Sequence, residues 1–226
     1  GIPSPRLDAE LLVGHALGID RVRIYLDFER PLTPEERASI RALVERRRRR
    51  EPVAYIIGER AFFGRMFTVG PGVLVPRPDS ETLVERALEL LPKEEAQQVL
   101  DVGTGSGCLG ITLAAERPLA QVTLVDISED ALRVAQQNAE RLGVSERVST
   151  LHSDLFAAVT APAGGFDLIV SNPPYIPTGD LAGLMPDVIQ HEPRLALDGG
   201  RDGLDCVRAL VTGARQQLRA GGALLI

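Results

Sequence analysis

Apolar positions along this chain follow two different rhythms. Near the N-terminus they recur at helical spacing. Leu7, Leu11, Leu12 and Ala16 fall on one face, with Ser4-Pro5 as a helix start and Gly18 as a stop. Thr33-Pro34-Glu35-Glu36 has the form of a capping box with proline in the first turn. The helix it opens is expected to bury Ile40, Leu43 and Val44 and to end at Glu51, before Pro52. From Asp79 onward, short β-branched runs alternate with helical stretches. Asp79 is expected to cap a helix carrying Leu83, Val84, Leu88 and Leu91. Further helices are expected after Cys108, over 129–142 and over 204–218, and strands at 99–102, 122–125, 148–151, 166–170 and 223–226. Gly221-Gly222 reads as the turn into the last strand, which runs to the chain end and suggests that further residues follow it. Such alternation predicts an α/β fold, a doubly wound, mostly parallel sheet with helices on both faces. Between the two regions, Phe62-Phe63, then Gly64-Arg65, then Met66-Phe67 reads as a β-hairpin with its turn at Gly64-Arg65, and Val73-Leu74-Val75 as a short strand. The expected organisation is a small helical domain at 1–52, a connector with the hairpin at 53–78, and an α/β domain at 79–226.

Charge sharpens that division. Residues 1–78 hold 14 Arg against 10 acidic residues, a balance of +4, whereas residues 79–226 carry −10. A basic front and an acidic rear imply modules with different partners. The run Arg46-Arg47-Arg48-Arg49-Arg50 closes a helix, where cations suit the helix dipole. It also suits an acidic partner or an RNA backbone, and the basic module around it tilts the reading toward a partner surface. No apolar stretch has the length of a membrane span and no signal peptide is visible, so a cytoplasmic protein is expected. Cys108 and Cys206 lie far apart, and His15, His152 and His191 are scattered; neither a disulfide framework nor a metal site is expected.

Two motifs carry chemistry. Asp101-Val102-Gly103-Thr104-Gly105-Ser106-Gly107 links a strand to a helix, where glycines let the backbone turn tightly and approach a ligand. Asp126 ends the next strand, placed to hold the ribose hydroxyls of a nucleoside. Gly105, Gly107 and Gly110 also satisfy the dinucleotide pattern, which keeps an NAD-dependent dehydrogenase open at this point. The second motif is Asn172-Pro173-Pro174-Tyr175, directly after the strand at 166–170. Its prolines lack N–H groups and stiffen the loop, and Asn172 before a proline is held extended. The Asn172 side-chain oxygen and the Pro173 carbonyl can accept two hydrogen bonds from one NH2 group beside the flat wall of Tyr175. A planar amide or an exocyclic amine is the acceptor such a pocket would take.

The glycine loop, Asp126 and the Asn172-Pro173-Pro174-Tyr175 loop together resemble the class I S-adenosylmethionine-dependent methyltransferases, with their Rossmann-like fold. That resemblance implies a cofactor site at Gly103, Thr104, Gly105, Ser106, Gly107, Asp126 and Asn172, with Leu155, in Ser153-Asp154-Leu155-Phe156, against the adenine. Asn-Pro-Pro-Tyr is shared by adenine-N6, cytosine-N4 and guanine-N2 nucleic-acid methylases and by protein-glutamine N5 methylases. Three features narrow the choice: the Pro76-Arg77-Pro78-Asp79-Ser80-Glu81 segment, the Glu192–Leu204 block, and the helical module leading into Glu51-Pro52-Val53-Ala54-Tyr55. Together they resemble the release-factor glutamine methyltransferases, the HemK/PrmC family. Ribosomal-protein glutamine methyltransferases share much of the pattern, but Pro78 and Asp79 favour the release-factor branch.

The resemblance implies methyl transfer from S-adenosyl-L-methionine, with S-adenosylhomocysteine as product, to the side-chain amide N5 of the Gly-Gly-Gln glutamine in peptide chain release factors. Asn172, Pro173 and Tyr175 would be the catalytic residues, and Asn172, Pro173, Pro174 and Tyr175 the substrate contacts. A monomer docking its protein substrate on the helical module is expected, without stable nucleic-acid binding. The remaining rivals are a nucleic-acid amine methylase, which would usually need a basic recognition surface, and a nucleotide-binding module without activity.

Overall fold

The computed structural model describes residues 2–226. Its N-terminal helices are α1 (Pro5–Leu17), α2 (Arg21–Leu26), α3 (Pro34–Arg48) and α4 (Val53–Ile57). The α3 start follows the sequence closely: Thr33 accepts from Glu36 N, and the Glu36 side chain accepts from Thr33 N. Gly18 closes α1 in the left-handed conformation that favours glycine, but Ser4 makes no side-chain capping bond. A short helix, α2, not foreseen from the sequence, is capped by Asp20.

The expected buried face of α3 forms only in part, with Ile40 and Leu43 half-buried. Val44 is exposed, and the buried residue of α3 is Arg47, 7% exposed. Its guanidinium pairs with Asp8 of α1 at 2.7 Å and with Asp187 at 2.7 Å, and donates to Glu51 O. Arg46 pairs with Glu51, Arg48 and Arg49 with Glu45, and Arg50 with Asp187. Asp8 and Asp187 draw Arg47 and Arg50 into the fold, whereas Arg48 and Arg49 share Glu45 and stay exposed, which narrows the expected partner surface to those two. An Arg on α3 reaches carboxylates that the pattern of apolar positions cannot reveal. Arg47→Met should lower stability by roughly 2–3 kcal/mol, less than for a fully buried pair because both carboxylates keep some water contact. Urea unfolding curves of the two proteins would measure the difference.

Strands β1 (Glu59–Phe62) and β2 (Arg65–Thr68) form the expected antiparallel hairpin. Its turn is Phe63-Gly64, one position before the expected Gly64-Arg65, and both residues have positive φ, as a type I′ turn requires. Val73-Leu74-Val75 is not a strand. Val73 and Val75 are buried, but Val73 lies in a bend, Pro76 and Pro78 follow without N–H groups, and no strand pairs with the segment. Asp79 does not cap the next helix either. Pro78–Ser80 is a 3-10 turn, and α5 (Glu81–Leu90) continues from it.

The remaining elements are β3 (Gln98–Val102), α6 (Cys108–Glu116), β4 (Gln121–Asp126), α7 (Glu129–Arg141), β5 (Val148–His152), β6 (Phe166–Val170), α8 (Pro186–Ile189), α9 (Asp205–Gln217) and β7 (Leu218–Leu225). The sheet is parallel throughout, in the order β5-β4-β3-β6-β7. Strand residues alternate between two cores. Val99, Leu124, Leu168 and Val170 pack with helices α5, α6 and α7, and Leu100, Val102, Val125 and Ile169 pack with α9. Both faces are covered, which explains why these strands read as nearly continuous apolar runs. The sheet differs from expectation at its edge. β7 begins directly after α9, and its register against β6 jumps between Phe166↔Leu218 and Leu168↔Ala223. Gly221, at φ +79, lies within this bulge rather than in a turn before the strand. Among the described residues no helix is long and apolar enough to cross a membrane.

Candidate active site

The strand order reverses at β3, with β4 on one side and β6 on the other. A ligand crevice is expected there, outside the carboxyl ends of the strands. A cavity of about 770 Å³ lies at that position, lined by residues of the glycine loop, the β4, β5 and β6 ends, the 72–80 segment and the 193–209 region. The sequence-expected Gly103, Thr104, Gly105, Ser106, Asp126, Leu155, Asn172, Pro173 and Pro174 all line it.

Backbone geometry explains the loop. Gly103 and Thr104 donate to Val125 O, drawing the turn over the end of β4. Gly103 and Gly105 have φ of +71 and +55, and a Cβ on either would meet no atom within 4 Å, so these glycines leave uncovered backbone at the ligand side. Gly107 behaves differently. It does not line the cavity, and a Cβ there would meet Ile111 at 2.5 Å and Ala135 at 3.1 Å. Its placement corrects the expected cofactor contact: this glycine lets α6 pack against α7. Gly110 likewise has no room for a Cβ between Leu124 and Asp101. Two of the three glycines in the dinucleotide pattern are therefore packing positions.

Asp126 holds the loop as well as facing the cavity. One carboxylate oxygen accepts from Gly105 N and the other from Ser128 N, both at 2.9 Å. Each oxygen keeps a second lone pair, so a pair of vicinal hydroxyls can be met without breaking either bond. Leu155 sits at φ +47, a conformation costly for a branched side chain and one that ligand-facing residues often tolerate.

Another part of the lining is built around Asn172. Ser171 Oγ donates to Val102 O, fixing the end of β6 to β3. Asn172 Nδ2 donates to Ser80 Oγ at 3.2 Å. Neither Asn172 Oδ1 nor the Pro173 carbonyl accepts a hydrogen bond from another described residue. Tyr175 is where expectation and structure part. It is 63% exposed and outside the cavity lining. Its backbone is pinned instead, because a Cβ on Gly199 would lie 2.8 Å from Tyr175 Cα and one on Gly203 2.3 Å from Tyr175 O. Gly199 N also donates to Ile176 O and Thr178 N to Gly200 O, so the Glu192–Leu204 block forms the outer support of the loop.

Sequence reasoning missed three supports. Glu192, buried, takes both carboxylate oxygens to Arg77 at 2.7 and 2.8 Å, joining two signature segments across the cavity mouth. Burial pushes the Glu192 carboxyl up, and Arg77 opposes that shift. Asn138, fully buried, bonds Thr68 N and O and Ser106 O, tying the hairpin to the glycine loop. A lone amide on the apolar stripe of Leu132, Ala135 and Ala139 was the available signal. Asp101, also fully buried, accepts from Thr104 Oγ1 at 2.6 Å and Gly110 N at 2.9 Å.

Burial raises the Asp101 pKa to about 6 against those two hydrogen bonds. A folded-state pKa above the unfolded one means the folded chain holds the proton more tightly. The group therefore favours folding below pH ~4 and loses that contribution as pH rises through about 6. The stability of Asp101→Asn relative to the parent should rise by roughly 2 kcal/mol between pH 4 and pH 6.5. Paired urea titrations across that range measure it, and a flat difference would count against the burial argument.

The cavity's charge bears on what it can hold. Asp126, Asp154, Asp198 and Asp205 line it, against Arg77 and Arg194. Both arginines are already paired, with Glu192 and Asp198. A crevice with excess negative charge suits a sulfonium and an ammonium and disfavours the diphosphate of a dinucleotide. A carboxylate at Asp126 able to meet vicinal hydroxyls, open glycine backbone and acidic surroundings thus fit S-adenosylmethionine.

Comparison with known proteins agrees. The PrmC N-terminal domain model matches residues 1–58 and the methyltransferase small domain model residues 80–200. The release factor glutamine methyltransferase of Geobacter sulfurreducens is 50% identical, over 100% of this chain and 78% of that protein. The one from Chlorobaculum tepidum is 47% identical, over 99% and 78%. A solved S-adenosylmethionine-dependent methyltransferase from Agrobacterium tumefaciens shares the fold at TM-score 0.51 and 19% identity, over 74% of this chain and 51% of that one. With relatives this similar along its full length, the chain belongs to the release factor glutamine methyltransferase family.

Proposed function

We propose that this chain methylates the side-chain amide N5 of the glutamine in the Gly-Gly-Gln motif of peptide chain release factors. The observation that carries the reading is the pair of unengaged acceptors, Asn172 Oδ1 and the Pro173 carbonyl, on a proline-stiffened loop beside the nucleoside site.

S-adenosylmethionine, when bound, supplies an electrophilic methyl on its sulfonium. The chain's task is to present the amide to it. An amide nitrogen is a weak nucleophile because its lone pair is delocalised into the carbonyl. Asn172 Oδ1 and the Pro173 carbonyl each accept a hydrogen bond from one amide N–H, which turns a face of the nitrogen toward the cofactor end of the cavity. As the N–CH3 bond forms the S–CH3 bond breaks, and one of the two N–H protons is then released to solvent. Hydrogen bonds to those protons also stabilise the positive charge that grows on nitrogen as the new bond forms. Such alignment can supply on the order of 7–11 kcal/mol of barrier reduction. Gly103, Thr104, Gly105, Ser106 and Leu155 would hold the cofactor, with Asp126 on its ribose. Tyr175, at the rim, would meet the incoming peptide rather than line the chamber. The helical module at 1–52 exposes Val22, Tyr25, Leu26 and Phe28 around α2, and we assign substrate docking to this surface.

Incubation with methyl-labelled S-adenosylmethionine tests the reading, using release factor, release factor with its Gly-Gly-Gln glutamine replaced, DNA and RNA. Label in the intact release factor alone is expected. Label confined to nucleic acid would overturn the substrate.

A further inference from the structure

We propose that Ser80 is a positioning residue for methyl transfer, holding the Asn172 carboxamide so that its oxygen alone faces the acceptor. The inference rests on the acceptor-binding role proposed for Asn172.

Ser80 immediately precedes α5, where a serine hydroxyl ordinarily accepts from a backbone N–H of the first helical turn. Here it makes no such bond, because the chain enters the helix through a 3-10 turn and Ser80 already has helical angles, φ −70 and ψ −13. The hydroxyl is 7% exposed as part of its residue, lines the cavity, and takes its hydrogen bond from Asn172 Nδ2, 92 positions along the chain. A buried hydroxyl that neglects its own helix for a distant carboxamide is placed by the tertiary structure.

The terminal torsion of an asparagine is soft, so an unheld carboxamide samples a broad range of planes. Committing Nδ2 to Ser80 narrows that range and leaves Oδ1 as the free end. Ser80 is itself held: its N–H donates to Arg77 O, Pro76 and Pro78 flank that arginine, and Arg77 is fixed by Glu192. On the other side Ser171 fixes the backbone next to Asn172 through Val102. Backbone and side chain of Asn172 are therefore positioned by separate contacts, and Ser80 governs the side chain.

Steady-state methylation of release factor by the full chain tests this with Ser80→Ala, Ser80→Thr and each parent. Ser80→Ala should lower kcat roughly tenfold, the scale of one aligned hydrogen bond, with KM for release factor and Kd for S-adenosylhomocysteine within about twofold. Ser80→Thr keeps the hydroxyl and should restore most of the rate. Adding Ser80→Ala to Asn172→Ala should cost nothing more, since the residue acts through Asn172. Equal losses in both backgrounds, a loss carried by KM or Kd, or failure of threonine to restore the rate would overturn the role. In the free protein, the Asn172 side-chain NH2 resonances, assigned by their disappearance in Asn172→Ala, should move in Ser80→Ala and hold in Ser80→Thr. That readout needs no acceptor: unmoved resonances refute the tether, while unlabelled release factor refutes the substrate reading instead.

Discussion

Asn172→Ala should reduce methyl transfer by about 10²–10³-fold while leaving S-adenosylhomocysteine affinity within a few-fold of the parent. The size follows from what the side chain does. It supplies one of two acceptors that fix the amide protons, and the bond matters most when nitrogen carries developing charge. The Pro173 carbonyl remains and preserves part of the alignment. Folding should change little, because Asn172 is half-buried and its side chain bonds a single hydroxyl, that of Ser80. Asn172→Asp provides the sharper control. It keeps an acceptor oxygen toward the cavity, and Ser80 can reverse its role and donate. It should therefore retain much more activity than the alanine variant. Single-turnover rates with saturating cofactor separate the two, and an alanine variant with near-parental turnover would remove Asn172 from the proposed chemistry.

A comparably large loss, in binding rather than turnover, is expected for Asp126→Ala. Two charge-assisted hydrogen bonds to ribose hydroxyls are worth roughly 3–4 kcal/mol together, or about 10²–10³ in affinity. The loop would loosen as well, since Gly105 N and Ser128 N lose their acceptors. For the same reason Asp126→Asn should rescue little. An asparagine must aim its NH2 at one of those two backbone donors, placing donor against donor. Calorimetric titration with S-adenosylhomocysteine reads this directly. An asparagine variant binding as tightly as the parent would mean the carboxylate serves the loop rather than the nucleoside. The two residues thus divide the labour: Asp126 variants should fail at binding, Asn172 variants at transfer.

Much of the site was legible in local sequence because its chemistry is local. Proline and glycine act on their own backbone and their neighbours', so the stiffness of the Asn172-Pro173-Pro174-Tyr175 loop and the open turn at Gly103 and Gly105 needed no distant information. The reading faltered where one residue type serves two purposes. Gly107 matched a ligand-loop spacing, yet the space above it belongs to Ile111 and Ala135. Tyr175 belonged to the motif, yet the contacts of its backbone with Gly199 and Gly203 leave its ring at the surface. Val73-Leu74-Val75 had strand composition but no strand to pair with.

The alternation of β-branched runs and helices, the capping box at Thr33, the left-handed stop at Gly18 and a hairpin turning at Gly64, to within one residue, were all set by the sequence alone. All of these follow from torsional preference and short-range hydrogen bonding. Only the tertiary structure decided that Arg47 bridges Asp8 and Asp187, that Glu192 locks Arg77, and that Ser80 meets Asn172. Those partners lie 39 to 140 positions apart. A charged or polar side chain carries no record of which distant partner it will meet. The packing of the two cores around the sheet brings those pairs together.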